Sequence, residues 1–326
     1  MIMRWIRYAR RQTRVEAGDS GLHSFTMPYQ GIKSMTSLNR KELGQFLFVL
    51  LLAAALRFYN LGYASLWLDE AETIRISGFP WSRLWITDYD NTPPLYYSVI
   101  HFVLKSGHSE FLLRLPSAAF GVLSIAIMYL ATRKISGSTA ALITALILSL
   151  SFHNIEYSQE ARAYSLLGLC LSVSILGLTM LSVRWNESGS GFTFFEFIRS
   201  GGGLYALGLI SALYTHNIAV FYWLGVQIFF LAWWVRPFRF SLPCLVSWSA
   251  VNLVVLLLWM PWLNVILQLI ERGTFSWLEQ AEPERAVCPL FGNCAGCEPA
   301  YFHLQHSGPF RDRHVRGNHG GSCQGP

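Results

Sequence analysis

The sequence predicts an all-α polytopic membrane protein with about seven transmembrane helices and a long first outer loop that carries juxtamembrane helices. Hydrophobic residues make up 52% of the 326-residue chain and charged residues only 13%, whereas soluble domains carry about 25% charged residues. The 12 Trp and 14 Tyr residues suit the aromatic belts that lie at the two surfaces of a bilayer.

Residues 1–42 form a basic segment that carries much of the net charge of +6. The positive-inside rule predicts that this segment is cytoplasmic, and we expect no nucleic-acid partner for it. The basic region is too long for a cleaved signal peptide, and Met35 is an alternative start to Met1. Its basic residues are Arg4, Arg7, Arg10, Arg11, Arg14, Lys33, Arg40 and Lys41.

The membrane helices are predicted from apolar runs of about 20 residues, the length that spans a bilayer. The run 203–235 is too long for one helix and is interrupted by His216-Asn217, so we expect a hairpin of two crossings there. The other predicted crossings are 43–60, 113–132, 138–153, 164–183 and 244–263.

The segment 94–106 is apolar but shorter than the roughly 20 residues that span a bilayer, and Pro93-Pro94 at its start suits the beginning of a helix. If this helix does not cross, three pairs of basic residues fall on the same side as the basic N-terminus, as the positive-inside rule requires. If it crosses, all three pairs fall outside. We therefore expect an interfacial or re-entrant helix at 94–106. The three pairs are Arg133/Lys134, Arg184/Arg199 and Arg236/Arg239.

This topology places two acidic clusters on the same outer face. Asp69 and Glu70 lie in the loop 61–112, and Glu160 lies in the loop 153–163. Carboxylates beside a bilayer are costly and often mark function, so we expect the two clusters to frame a single polar site.

Each charged residue of this site has a functional and an ordinary interpretation. Asp69 is a candidate general base for an acceptor nucleophile, and the alternative is a solvated loop carboxylate. Glu160 and Arg162 stand two residues apart and would not share a helical face, so they are not simply a local ion pair. Arg162 has the planar fork that holds a phosphate, and the alternative is an interface-anchoring Arg.

The polar break His216-Asn217 and the turn before Tyr96 and Tyr97 are also ambiguous. His216 is a candidate metal ligand together with a nearby carboxylate, and the alternative is a satisfied polar residue that caps the break. Tyr96 and Tyr97 follow a rigid Pro-Pro turn and are interface aromatics by default.

Six short motifs follow one another between residues 43 and 278, namely Leu66–Glu70, Pro93–Tyr97, Arg114–Ser117 with Gly121, Tyr157–Tyr164, Tyr214–His216 and Gly273–Leu278. Each motif alone is weak, but together and in this order they resemble the GT-C superfamily of integral membrane glycosyltransferases. The branch that they resemble contains the dolichyl-phosphate-mannose–protein mannosyltransferases (glycosyltransferase family 39) and the bacterial aminoarabinose transferases of lipid A.

The resemblance implies a GT-C-like catalytic module over residues 43–278. Such enzymes take a sugar from a polyprenyl-phosphate-linked donor and pass it, with inversion, to an acceptor lipid, glycan or protein. For this chain we expect the non-cytoplasmic face of a bacterial inner membrane. By motif match, the catalytic candidates are Asp69 and Glu160, the substrate-binding candidates are Arg162, Glu70, Tyr96 and Tyr164, and the candidate ligand of a divalent metal ion, the one cofactor expected, is His216.

The sequence departs from the family pattern at Thr92. Relatives often place a basic residue there, just before the Pro-Pro pair, where it suits the donor phosphate. The leaving phosphate gathers negative charge in the transition state, and fixed positive charge is the expected aid. We therefore expect Arg162 to supply it.

Residues 279–326 form a polar Cys/His/Gly-rich tail that breaks the earlier pattern. A frameshifted or truncated gene, or a disordered segment, explains this tail best, and a naturally divergent tail is the alternative. If the reading frame is shifted, we expect this chain to have weak activity or none. The pair Cys294 and Cys297 with nearby histidines invites a zinc site, but an outer location favours disulfides. Cys170 and Cys244, in contrast, lie in apolar helices and are predicted to be packing residues.

Two other function classes remain as alternatives. A lipid or solute transporter would carry charges within several helices and break them at the midplane, whereas the acidic groups here cluster in outer loops. A non-catalytic polyprenyl-phosphate-binding protein would bind the donor lipid without turnover.

Overall fold

The regular structure of this chain is helical and contains no strand in the part that is described, so the predicted all-α class is confirmed. The residues that the computed structural model describes are 38–85, 91–188, 193–234 and 242–271. They belong to the first of two compact units, Met1–Arg272. Most of the basic N-terminal segment, the pair Arg236/Arg239 and the tail 279–326 lie outside the described residues.

Helix α1, Arg40–Phe58, starts at a capping box. The Asn39 side chain accepts from the backbone N–H of Glu42 at 2.8 Å, and the Glu42 carboxylate accepts from the backbone N–H of Asn39 at 3.3 Å. Two of the donors that a helix N-terminus leaves unsatisfied are therefore bonded. The helix contains most of the first predicted crossing.

The loop that follows carries the short helices α2 (Leu68–Ser77), α3 (Trp81–Leu84) and α4 (Leu95–Leu104). Helix α4 begins directly after Pro94, and the backbone N–H of its first residue donates to the Tyr214 carbonyl at 3.0 Å. Ten residues rise about 15 Å, roughly half of the hydrocarbon thickness, so α4 is too short to cross a bilayer. The predicted long loop with juxtamembrane helices is confirmed.

Helix α5, Glu110–Leu150, consists of two helices that meet at Gly137. Gly137 has φ 82° and ψ 178°, a conformation essentially confined to glycine. Ile125 before the kink and Ala145 after it lie in one apolar cluster with Val49 of α1. The two halves therefore run back along each other, and they correspond to the second and third predicted crossings.

The remaining helices complete the bundle around a break at residues 214–218, where the sequence predicts an interruption by His216-Asn217. A π-helical turn, Ile198–Gly202, precedes the helix Gly203–Leu213 and is not signalled by the apolar pattern. The helices are α6 (Phe152–Ser158), α7 (Tyr164–Ser188), α8 (Phe194–Phe197), α9 (Gly203–Leu213), α10 (Ala219–Trp234) and α11 (Leu242–Glu271).

By length and composition, three long apolar segments in the described part of the chain are able to cross a membrane, and the first of them, α5, is divided into two helices at Gly137. Two shorter apolar helices, Leu95–Leu104 and Ala219–Ala232, accompany them. The chain is therefore an integral membrane protein, and the count of seven crossings stays a prediction. The three long segments are Glu110–Leu150, Tyr164–Trp185 and Leu242–Glu271.

The larger apolar cluster lies where α7, α9, α10 and α11 pack. It encloses a polar contact, because the Asn252 amide oxygen accepts from the Tyr205 hydroxyl at 2.9 Å and from the Gln227 amide at 2.9 Å. Hydrogen bonds of this kind hold helices together in an apolar medium. Cys170 and Cys244 are free and buried, as predicted.

Two contacts show which helix ends lie together. Arg133 pairs with Glu42 at 2.8 Å, which places the kink of α5 beside the start of α1. The Gln159 amide donates to the carbonyls of Leu56, at 3.1 Å, and Tyr59, at 2.9 Å, which places the turn between α6 and α7 beside the end of α1. This pairing agrees with the predicted topology, and the side of the membrane that each end faces stays a prediction.

Candidate active site

The two acidic clusters meet at the end of the bundle where α1 finishes. Asp69 lies in the first turn of α2, and Arg162 lies in the turn between α6 and α7. Their side chains pair, with Arg162 Nη2 at 3.2 Å from Asp69 Oδ2. The backbone N–H of Ala161 donates to Glu70 Oε1 at 2.7 Å. The structure thus brings together the two segments that the sequence predicts to frame one site.

Glu70 is fully buried and lies at the centre of a group of contacts that we call the Glu70 hub: Glu70, Arg114, Ala161 and the turn 61–65. The Arg114 guanidinium makes a bidentate contact with the Glu70 carboxylate: Nε donates to Oε1 at 2.8 Å and Nη2 donates to Oε2 at 2.6 Å. Its remaining N–H groups donate to the carbonyls of Leu61, at 3.2 Å, Ala64, at 2.8 Å, and Ser65, at 3.1 Å. A buried ion pair is tolerated when hydrogen bonds satisfy both partners, and here they do.

These contacts bear on the substrate-binding role predicted for Glu70. Both of its oxygens are occupied by protein donors, and the side chain has no exposed surface. We therefore interpret Glu70 as a positioning residue, which holds α2 against α5 and against the turn that carries Arg162. The sequence contains a signal for its partner, since Arg114 opens one of the family motifs, but no spacing rule links the two residues.

Asp69 is the accessible carboxylate of the site, with 43% of its side chain exposed. It lies at the N-terminus of α2, where the helix dipole stabilises negative charge. Burial alone would lower the pKa of the Arg162 guanidinium, but its hydrogen bond with Tyr164 and the charge of Asp69 outweigh that effect and raise the pKa. Arg162 is therefore a permanent cation beside the candidate base.

Glu160 is half-buried next to the Glu70 hub. Burial raises the pKa of its carboxyl above the usual range, the charges of Glu70 and Glu156 raise it further, and Arg162 opposes the shift. A carboxyl with a raised pKa is suited to proton transfer near neutral pH. The catalytic role of Glu160 stays a prediction.

A narrow cleft lies beside the pair of Asp69 and Arg162. It joins α2, α4, the turn before α7 and the break at residues 214–218, and it unites four of the predicted site residues. The residues that line this narrow cleft are Thr73, Thr92, Tyr96, Tyr97, Arg162, Ala163, Tyr164 and His216.

Tyr96 supports the cleft from inside the protein. Its ring is 1% exposed, and its hydroxyl shares a hydrogen bond with Ser117 at 2.7 Å. Ser117 in turn donates to the Arg162 carbonyl at 3.3 Å. Tyr96 therefore contributes a wall of the cleft and, through Ser117, helps to hold the backbone of Arg162.

His216 lies at the helix break and against the ring of Tyr164, with 5.6 Å between ring centroids. Its Nδ1 accepts from the backbone N–H of Ile218 at 3.2 Å, which is the capping contact of the ordinary interpretation. Within the described ranges, no three His, Cys, Asp or Glu side chains group so as to hold a metal ion. The metal role of His216 stays a prediction, and no step is derived through a metal.

Two further residues of the site were missed by reasoning from sequence. Gln159 caps the end of α1, as described above. Asn217 donates from its amide to the Asn91 carbonyl at 2.6 Å and accepts from Trp262 Nε1 at 3.0 Å, so it ties the helix break to the turn before α4 and to α11. Only their position inside or beside a family motif could have drawn attention to them.

Comparison with known proteins supports the fold. No protein-family model matches the chain. It is 36% identical over 118 residues to an uncharacterised protein of Aquifex aeolicus (strain VF5), in a match that covers 33% of this chain and 24% of that protein.

The structure is similar to that of an S. cerevisiae protein O-mannosyltransferase complex bound to the sugar donor, with a TM-score of 0.51 and 15% sequence identity. The similarity covers 73% of this chain and 34% of that chain, so the present sequence spans about a third of its structural neighbour. At this identity the likeness shows the fold alone, and that fold agrees with the architecture expected from the resemblance of the motifs.

Proposed function

We propose that this chain is a catalytic module of a membrane glycosyltransferase that moves a sugar from a polyprenyl-phosphate donor to an acceptor, with inversion at the anomeric carbon. The observation that carries the proposal is the placement of the exposed Asp69 carboxylate at 3.2 Å from the Arg162 guanidinium, beside a cleft in a GT-C-like fold. In such a pair the base is able to deprotonate an acceptor hydroxyl and the cation is able to stabilise a leaving phosphate.

In the proposed step, Asp69 takes the proton from the acceptor hydroxyl. The acceptor oxygen forms a bond to the anomeric carbon, and the bond from that carbon to the phosphate oxygen breaks. The electron pair leaves with the polyprenyl phosphate, whose negative charge increases by one. Arg162 stabilises that charge, because its guanidinium is already in place before the reaction.

Thr92 and the Glu70 hub are consistent with Asp69 as the base and Arg162 as the cation. Thr92 lines the cleft where relatives often carry a cation, so the permanent positive charge on its wall comes from Arg162. The Glu70 hub fixes the backbone on both sides of the pair, and preorganised groups lose less free energy on reaching the transition state. We place the reaction on the non-cytoplasmic face of a bacterial inner membrane, with a lipid, glycan or protein as acceptor.

The decisive test is Asp69→Asn in the purified chain, reconstituted in lipid nanodiscs and assayed with a radiolabelled polyprenyl-phosphate sugar and membrane-extracted acceptors. We expect transfer to fall by about 10²- to 10⁴-fold, because the amide cannot accept the proton. The matched control is Glu72→Gln on the same helix, whose carboxylate is similarly exposed, at 45%, and pairs with Arg75. It should transfer at the rate of the unaltered chain.

Two outcomes would contradict the proposal. Normal turnover by the folded Asp69→Asn variant would remove Asp69 as the base. Donor binding without any transfer by the unaltered chain would identify a lipid-phosphate-binding protein instead of an enzyme.

A further inference from the structure

A second cavity, which Tyr164 also lines, lies between α5, α6 and the start of α7. Its volume is about 120 Å³, close to the roughly 150 Å³ of an engineered cavity that holds a benzene ring. It therefore has the size of one six-membered ring. The residues that line the second cavity are Gly121, Ser124, His153, Asn154, Tyr157, Tyr164, Ser165 and Gly168.

The walls of the second cavity combine aromatic faces with neutral hydrogen-bonding groups. The rings of Tyr157 and Tyr164 lie 4.6 Å apart, and the His153 ring stacks on Tyr157 at 6.3 Å. The Ser165 hydroxyl donates to the Tyr157 carbonyl at 2.9 Å and lies 3.3 Å from the Ser158 hydroxyl, which leaves one lone pair of its oxygen to accept. The Asn154 amide adds both donors and an acceptor.

Charge separates this cavity from the narrow cleft. Of the described residues that line it, none is Asp, Glu, Lys or Arg, and His153 pairs with Glu156 at 3.5 Å on the exposed side. The narrow cleft, in contrast, contains Arg162. The Arg162 guanidinium is therefore the group that suits a phosphate, and the uncharged walls of the second cavity suit a neutral, hydroxyl-rich ring.

From this arrangement we propose that the second cavity binds a neutral monosaccharide ring next to the carboxylate site, with Tyr164 as the wall that the two spaces share. The inference rests on the proposed function, because it assigns the sugar of that reaction to a place. The ring is either the glycosyl group of the donor or a sugar unit of a glycan acceptor, and both present the same chemistry to these walls.

Gly168 offers a way to fill the cavity without disturbing the fold. A Cβ atom at Gly168 would have no heavy atom within 4 Å, so a side chain there would enter open space. Gly121 is different, because a Cβ atom there would collide with the Ser158 hydroxyl. Gly225 on α10 also has no heavy atom within 4 Å of an added Cβ and lines neither space, so it provides a matched control.

The experiment compares Gly168→Leu with Gly225→Leu in nanodiscs. Three probes are titrated by microscale thermophoresis: citronellyl phosphate, citronellyl phosphate mannose and methyl α-mannoside. If the cavity holds the donor sugar, Gly168→Leu lowers the affinity for citronellyl phosphate mannose by about tenfold, which corresponds to the loss of one or two good contacts. The affinity for citronellyl phosphate stays unchanged. If it holds the acceptor sugar, only methyl α-mannoside weakens.

Equal affinities of Gly168→Leu and Gly225→Leu for all three probes would overturn the inference. If Gly168→Leu does not fold, Asn154→Ala on a separate wall of the cavity repeats the test. It should lower the affinity for the same probe. Failure of the proposed function gives a different result. If Gly168→Leu lowers sugar affinity but the unaltered chain transfers no sugar, the cavity assignment is retained and the proposed transferase activity is rejected.

Discussion

Asp69 and Glu70 are neighbours in the chain, yet their carboxylates lie in opposite environments. Asp69 is partly exposed and pairs with Arg162, while Glu70 points into the protein and is held by Arg114 and Ala161. Helical geometry explains the difference, because consecutive residues on a helix are about 100° apart and cannot share a face. One residue is thus available for chemistry and the other for support.

Glu160 gives a prediction about pH. Its folded-state pKa is raised above 4.5 by burial and by the charges of Glu70 and Glu156, so the folded chain holds this proton more tightly than the unfolded chain does. The contribution to stability is complete below pH 4.5 and is lost as the pH rises through the folded-state pKa. We expect Glu160→Gln to remove this loss and to raise the unfolding temperature at neutral pH.

The measurement for Glu160→Gln is the thermal unfolding midpoint in detergent between about pH 4 and pH 8. Glu72→Gln is the control, because the hydrogen bond with Arg75 lowers the pKa of Glu72 and reverses the sign of its pH dependence. Parallel profiles for Glu160→Gln and the unaltered chain would contradict the assignment.

At the scale of elements, sequence patterns anticipate the helices better than their contacts. Apolar runs and the gap after Arg133 indicate the two halves of α5, and the polar pair His216-Asn217 indicates the break before α10. Both signals are local, because they depend only on the hydrophobicity of neighbouring residues and on the polar residues that interrupt an apolar run. The ion pair between Glu70 and Arg114 depends on how α2 docks against α5, so no local sequence pattern predicts it. The same is true of the Gln159 cap on α1.

The kink of α5 gives a prediction at this scale. Gly137 has φ 82° and ψ 178°, and a Cβ there would touch nothing within 4 Å, so any penalty is conformational. We expect Gly137→Ala to destabilise the fold by about 1–3 kcal/mol. Gly44→Ala, in the regular helix α1 and equally open, should instead stabilise by up to about 1 kcal/mol.

Reversible unfolding in mixed micelles with increasing dodecyl sulfate measures the free energies of both variants. The opposite signs are the diagnostic result. A stabilising Gly137→Ala would mean that the two halves of α5 are not joined as described.

At the scale of the whole molecule, the helix ends fall into two sets. The start of α1 and the kink of α5 share one end, through Glu42 and Arg133, and the carboxylate site shares the other, through Gln159. Loop charge, a global property of the sequence, led to the expectation that 94–106 does not cross, and the count of seven crossings stays a prediction. Orientation in the bilayer depends on insertion and is tested separately.

The expected orientation puts the carboxylate site outside. In a variant without natural cysteines, we expect His153→Cys, whose native side chain is 79% exposed, to react with an impermeant maleimide on intact bacterial cells. Ser136→Cys, beside the kink of α5, should react only after permeabilisation. The opposite labelling pattern would reverse the predicted topology.

The composition of the Glu70 hub has a consequence for biosynthesis. Its partners come from residues 61–65, Arg114 and Ala161, all of which precede α7 in the chain. Membrane proteins emerge from the ribosome N-terminus first, and early segments begin to fold while later ones are still being made. The buried carboxylate therefore has every partner it needs once residue 161 has been translated, before any of the five described helices α7 to α11 has been made.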